Sequence, residues 1–496
     1  MSTHTESKQQ WSSRMGYLLA CLGMCIGTGN VWRFPRVCAA NGGGAFVIAW
    51  TVAMLIFAVP LLINEMVMGK TSRLGNLGAF RDMGGKKTTW MGFFVIMTCL
   101  GIASYYSVLN GYCFRYGVSS IISRPLNLTV AEAEGIWNAF LDNKLVVILG
   151  HTVSMGIGFF VLYKGVSSGI EKVCKVLIPL IFVVLIGMAI YACCLPGAGA
   201  GIEYYLHIDP ADLLNPNTWL QAFTQAAWST GAGWGMVTVY SVYTSAKEDI
   251  PNNCMMMGMG DNLGALIAGF LVIPAIFALS ASPEAAYEAC SQGNFGITFI
   301  YMYQLFSTFQ GGWILSGLFF ITLALAAVTS LFNMLEVGVC NLVDLGVKRK
   351  SAVAAICGFC YVVGIFSCLN ISFLMNQDWV WGLALLITGL MYGYVMLKNG
   401  TEKIRTTYIN AEGCDYELPK WYYNFSMKLV PIFVIIMVAW WCIQSIGWYP
   451  DSWWKITEIE NLGTVVFQFG LVAIIGLCLQ NWFNRKVAAG PITKHD

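Results

Sequence analysis

The sequence predicts an all-α polytopic membrane protein of about twelve transmembrane helices, and three observations carry that reading. The chain of 496 residues is 57% hydrophobic and 11% charged, with a mean hydropathy of +0.64, a composition that no ordinary soluble domain has. Apolar stretches long enough to cross a bilayer, about 20 residues each, recur along its length. Two of those stretches are broken by glycine clusters, Gly23/Gly27/Gly29 and Gly231/Gly233/Gly235, and each opens a group of five spans. Paired interruptions of this kind point to inverted repeats with a binding site at the bilayer midplane.

In chain order the spans are expected near 15–38, 44–69, 90–120, 145–163, 173–194, 219–244, 256–282, 311–343, 352–374, 379–397, 429–448 and 463–482. The expected organisation is a cytoplasmic N-terminal segment 1–14 and a first five-helix repeat 15–194. An extracellular loop 195–218 and a second five-helix repeat 219–397 follow. A cytoplasmic loop 398–428, two further spans in 429–482 and a cytoplasmic tail 483–496 complete the chain. Orientation follows from the basic loops. Lys70, Arg73, Arg81, Lys86 and Lys87 follow span two, Lys164, Lys172 and Lys175 follow span four, and Lys348, Arg349 and Lys350 follow span eight. The loops after spans five and seven carry Glu203, Asp209, Asp212, Glu284 and Glu288 but no lysine or arginine. By the positive-inside rule both termini are cytoplasmic, in the cell membrane. The polar start up to Ser13 shows no cleavable signal.

Several function classes fall away. A net charge of +2 implies no nucleic-acid partner. Most of the 17 cysteines lie in apolar spans, where the side chain acts as a small hydrophobe, and Cys357-Gly-Phe-Cys360 has no second pair to make a metal site. His4, His151, His207 and His495 form no catalytic cluster, so no enzyme is expected. The informative stretch is Gly23-Met-Cys-Ile-Gly-Thr-Gly-Asn30, with Arg33 close behind. Glycines weaken a helix and invite unwinding, which at membrane depth needs a partner for the freed backbone groups. A helix-packing face of small residues is the plainer reading; the clustered Asn30 and Arg33 favour a ligand site.

Gly27-Thr-Gly-Asn-Val-Trp-Arg-Phe-Pro35, followed by Asn41-Gly-Gly-Gly-Ala-Phe46, resembles the first-helix signature of the neurotransmitter:sodium symporter family, and matching features recur through Asp378. The resemblance implies a LeuT-like fold of 5+5 inverted repeats with discontinuous helices 1 and 6, and a sodium-coupled symporter working by alternating access. It implies two sodium sites and no organic cofactor. The first site takes the Cys25 carbonyl, Asn30, Ser229 and a span-seven group, Asp261 or, one residue on, Asn262. The second takes carbonyls of Gly23, Ile26 and Ala326 with the hydroxyls of Thr329 and Ser330, which could otherwise only bond back to their own helix. Amides around Cys25, Gly27, Thr28 and Gly29, with the Tyr106 hydroxyl, would hold a substrate carboxylate. Met24, Ile102, Trp228, Gly231, Trp234, Ser330 and Met334 would line the side-chain pocket.

Family members that carry biogenic amines have an aspartate where this chain has Gly27, so a neutral amino acid is expected, and Trp234 keeps it small. A betaine-like N-methylated cation caged by tryptophans is the alternative, as is a non-transporting sensor on the same scaffold. Arg33 and Asp378 would form the outer gate; Lys8 and Asp344, with Trp11 and Tyr243, the inner one. Glu65 and Glu336 match the family pattern as hydrogen-bond anchors. Chloride is not expected: the positions that hold it in dependent relatives read Trp50, Gln225, Ser229 and Ala265, and Asp261 would supply the negative charge.

Overall fold

The computed structural model describes residues 10–27, 29–291, 295–411, 414–415 and 417–491. Helices joined by turns and loops make up these residues, with no strand among them. Ten helices are long and apolar enough to cross a membrane, and the bent pair Arg14–Cys25 and Gly29–Ala40 makes an eleventh. The expected twelfth, span six, is split into Pro216–Thr230 and Met236–Val242, so neither half reaches spanning length.

Several boundaries differ from expectation, each for a local reason. Span five begins with a π-helical turn, Val166–Glu171, before Lys172–Cys193. Span nine ends at Leu369 because the Asn370 side chain caps span ten, Ile371–Asn399, by accepting from the Ser372 and Phe373 amides. Asp378 therefore lies inside span ten and not ahead of it. Span two carries a π-turn at Met54–Ala58 just before Pro60. Proline has no N–H to donate to the preceding turn, and the Tyr422 hydroxyl donates to the Leu55 carbonyl at 2.5 Å within that turn.

Spans one, three, six and eight form the packed centre. Thr89–Ser123 is 89% buried over its most apolar window, whereas Lys420–Trp448 and Leu462–Lys486, at 28% and 22%, lie at the periphery. The outer loops fold as short helices, Ala198–Leu206 and Pro210–Leu214 after span five, and Pro283–Ser291 with Tyr303–Phe306 after span seven.

Candidate functional site

The two interrupted spans meet at the middle of the bundle. Span one stops at Cys25 and resumes as a π-turn at Gly29–Arg33 leading into Phe34–Ala40. Span six breaks where Gly231, Gly233 and Gly235 take φ of 72°, 89° and 77°, a region that other residues enter only with strain. The break leaves N–H groups at the start of Met236–Val242 without helical partners. Glu65 takes them: its carboxylate accepts from the Gly233, Val237 and Thr238 amides at 2.7, 3.1 and 3.3 Å.

Asp261 is fully buried on span seven. One of its carboxylate oxygens accepts from Asn30 Nδ2 and the other from Ser229 Oγ, both at 2.8 Å. Asn30 Nδ2 also reaches the Asp261 carbonyl at 2.9 Å. Asn30 Oδ1 is buried with no hydrogen-bond partner, an acceptor left free beside a carboxylate. The Cys25 carbonyl faces the Gly27 amide at 3.0 Å, and its thiol the Thr230 carbonyl at 3.2 Å. Spans one, six and seven thus bring Asn30, Ser229 and Asp261 together, whereas the Asn262 Oδ1 is buried without a hydrogen-bond partner. Among the described residues no three His, Cys, Asp or Glu side chains converge. One carboxylate among amide, hydroxyl and carbonyl oxygens is a donor set for a hard cation, not for a transition metal.

A second group of oxygens lies a turn away. Ser330 Oγ is 3.2 Å from both the Gly23 and Met24 carbonyls, and Thr329 Oγ1 bonds back to the Ala326 carbonyl at 2.7 Å. A side chain on Gly23 would come within 3.4 Å of the Thr329 Cβ, so spans one and eight touch here. Ile26, buried alongside, keeps its amide on the Leu22 carbonyl at 2.7 Å.

Between the two groups is a cavity of about 10 Å³, the room of a single water. Met24, Cys25, Gly27, Gly29, Tyr106 and Trp228 form part of its wall. Ser229, Gly231, Trp234, Ser330 and Met334 form most of the rest. Ile102 is buried but is not part of this wall, and Thr28 lies outside the described residues. Met236 is a wall residue that sequence reasoning missed; its methyl stands 2.9 Å from where a Gly231 side chain would begin. A Cβ on Gly27 would sit 2.4 Å from Ser330 Oγ and 2.8 Å from the Tyr106 hydroxyl, so a side chain there would displace those two hydroxyls. The Trp228 and Trp234 rings meet edge to face at 5.4 Å and take most of the space.

The expected outer pair is not made. Arg33 donates to Gln225 Oε1 instead, with its guanidinium 6.0 Å from the Trp228 ring. Gln225 in turn donates to the Gly29 carbonyl at 2.8 Å. Arg33 and Asp378 both face a cavity of about 310 Å³ that also touches Arg36, Trp379 and Trp441, and that space separates them. At the other end, where the basic loops lie, Lys8 falls outside the described residues. Asp344 accepts from the Gly75 amide at 2.6 Å. Trp11 donates its indole N–H to the Tyr240 carbonyl at 3.0 Å and its amide to the Tyr243 carbonyl at 3.3 Å. Tyr243 donates to Glu336 at 2.8 Å, and Arg349, which sequence reasoning counted only as a basic loop residue, grips the same carboxylate at 2.8 and 2.7 Å.

The profile of the sodium:neurotransmitter symporter family matches residues 8–139 and 135–481. An uncharacterized sodium-dependent transporter of Haemophilus influenzae is 30% identical over 349 residues, 68% of this chain and 74% of its own length. One from Methanocaldococcus jannaschii is 30% identical over 365 residues, 70% and 73% of the two chains. The crystal structure of MhsT in complex with L-phenylalanine superposes with a TM-score of 0.77 at 26% identity, over 87% of this chain and 99% of that one. The chain belongs to the sodium:neurotransmitter symporter family and has its fold. It is a multi-pass membrane transporter of sodium-coupled type and not an enzyme.

Proposed function

We propose that the protein imports a small neutral amino acid with sodium by alternating access, without chloride. In this reading Asn30, Ser229, Asp261 and the Cys25 carbonyl bind one sodium ion, and Gly23, Ile26, Ala326, Thr329 and Ser330 a second. The substrate carboxylate rests on the amides of the unwound stretch and on Tyr106. The observation that carries the reading is the buried Asp261 carboxylate held between Asn30 and Ser229, beside an Asn30 oxygen with no partner. A buried carboxylate is costly unless a cation balances it, and its fixed charge takes the place of an anion. Gly27 supports a substrate that brings its own carboxylate, since the glycine leaves the space beside the Ser330 and Tyr106 hydroxyls open. The tryptophan pair supports a small side chain. The two five-helix halves, 15–194 and 219–397, each contribute a broken span to the site, and access to it alternates between the two faces, with both termini at the cytoplasmic face of the cell membrane.

The test is uptake into proteoliposomes under an inward sodium gradient. Alanine, glycine, leucine, phenylalanine and glycine betaine would be compared with and without sodium, and with gluconate in place of chloride. Sodium-dependent uptake of the small amino acids that survives gluconate is the expected result. Equal uptake in potassium buffer would overturn the coupling, and a preference for phenylalanine or for betaine would overturn the substrate class.

A further inference from the structure

We propose that Glu171 locks the start of span one against span five, and that its carboxylate must let go of Ser12 before the path to the inner face opens. The proposal deepens the alternating-access reading above and rests on it. Glu171 ends the π-helical turn Val166–Glu171, which follows Gly165 at φ 100°. The wider π-turn puts the side chain under the start of span one, where it is 1% exposed. There the carboxylate accepts from the Ser12 amide at 2.8 Å, from the Ser12 hydroxyl, and from the Ser13 hydroxyl at 3.4 Å. Lys175, one turn on, pairs with the same carboxylate at 2.7 Å and reaches Ser12 Oγ at 3.2 Å. Ser13 also caps span one by accepting from the Gly16 amide at 3.0 Å. A Cβ on Gly16 would lie 1.9 Å from Glu171 Oε1, so a side chain there would push the carboxylate out of its place.

The other polar ties at this end of span one differ in kind. Arg14 pairs with Glu248 at 3.5 Å and Asp415 at 3.2 Å, but its side chain is 44% exposed, where ion pairs contribute little. Hydrogen bonds to a buried carboxylate are stronger, and each one lost leaves a charged acceptor under-satisfied. Trp11 ties the segment to span six through the Tyr240 and Tyr243 carbonyls, and Glu171 is the charged group that ties it to span five. Two thiols report on it. Cys21 and Cys174 are fully buried behind the contact, and Cys174 Sγ lies 3.1 Å from where a Gly23 side chain would begin. Release of span one from span five exposes both to water.

The experiment uses the full chain in inside-out vesicles, with Cys193, Cys194, Cys414, Cys442 and Cys478, the cysteines that are not buried, replaced by serine. A charged methanethiosulfonate reagent is applied in sodium buffer without substrate. A Cys21→Ser, Cys174→Ser control subtracts labelling elsewhere. Glu171→Ala removes the contacts to Ser12 and Ser13 together and is expected to raise the labelling rate at Cys21 and Cys174 at least about tenfold. Glu171→Gln, which keeps one acceptor oxygen, is expected to fall between it and wild type. Ser12→Ala, a change at an exposed position that leaves the fold intact, should raise the rate a few-fold. Wild-type labelling rates in Glu171→Ala, or in Ser12→Ala where Glu171→Ala does not assemble, would overturn the proposal. The readout needs no transported substrate. A transporter that takes up no amino acid yet labels faster in these variants would sink the transport reading and leave the lock standing.

Discussion

The two ends of the path through the bundle are built differently. At the end facing the long loops, Arg33 and Asp378 look across a cavity of about 310 Å³, and Arg33 spends its charge on a neutral amide. At the end carrying the basic loops, packing is tight. Arg349, Glu336 and Tyr243 form one bonded cluster, Trp11 is stitched to span six, and Glu171 holds Ser12. Charges held apart by a cavity make an equilibrium that a small ligand can tip, whereas a saturated cluster must be broken before anything moves. The lesson is that closing the outer end and opening the inner one are separate energetic problems solved with different chemistry.

The comparison can be broken most severely at the inner end. Arg349→Ala leaves the buried Glu336 carboxylate without its cation and should cost about 3–5 kcal/mol; a fall in thermal stability together with inner-face thiol labelling checks it. At the outer end Asp378→Asn should cut uptake about tenfold, equivalent to about 1.4 kcal/mol in the closed state, while substrate binding by scintillation proximity stays within about threefold. An equal loss of binding would mean that Asp378 touches the substrate. Between the two ends, Trp234→Leu should shift the uptake ratio of leucine to alanine by about tenfold towards leucine. An unchanged ratio would place the size limit on Trp228 or Met236. The smallest expected effect is none at all: replacing chloride by gluconate should leave wild-type uptake unchanged, and Asp261→Asn should abolish uptake or make it anion-sensitive.

The glycine clusters made the two broken spans legible, because loss of helix propensity is local and shows in the chain itself. The convergence of Asn30 and Ser229 near span seven could also be anticipated. The choice between Asp261 and Asn262 could not, since neighbouring residues point about 100° apart on a helix and only packing sets the rotation. Arg349 was invisible as a partner of Glu336, although the two are 13 residues apart, because a basic residue after a span reads equally well as a solvated loop charge. Glu171 was hidden by a π-turn that propensity does not reveal. That Arg33 rests on Gln225 while Asp378 stands apart inside span ten could not be read from the chain, because packing sets both the partner of Arg33 and the early start of span ten at Asn370.

The carboxylate of Glu65 has a mechanical consequence. It sits on span two yet grips three amides around the start of the second half of span six, so displacing that half-helix without span two would break three hydrogen bonds to one buried carboxylate. The join between the two halves of span six falls between Thr230 and Gly233, where the backbone turns through two positive-φ glycines. Gly231→Ala would set a Cβ 2.9 Å from Met236 Cε in a backbone region that alanine enters only with strain, so it should distort the join between the two halves of span six and lower uptake.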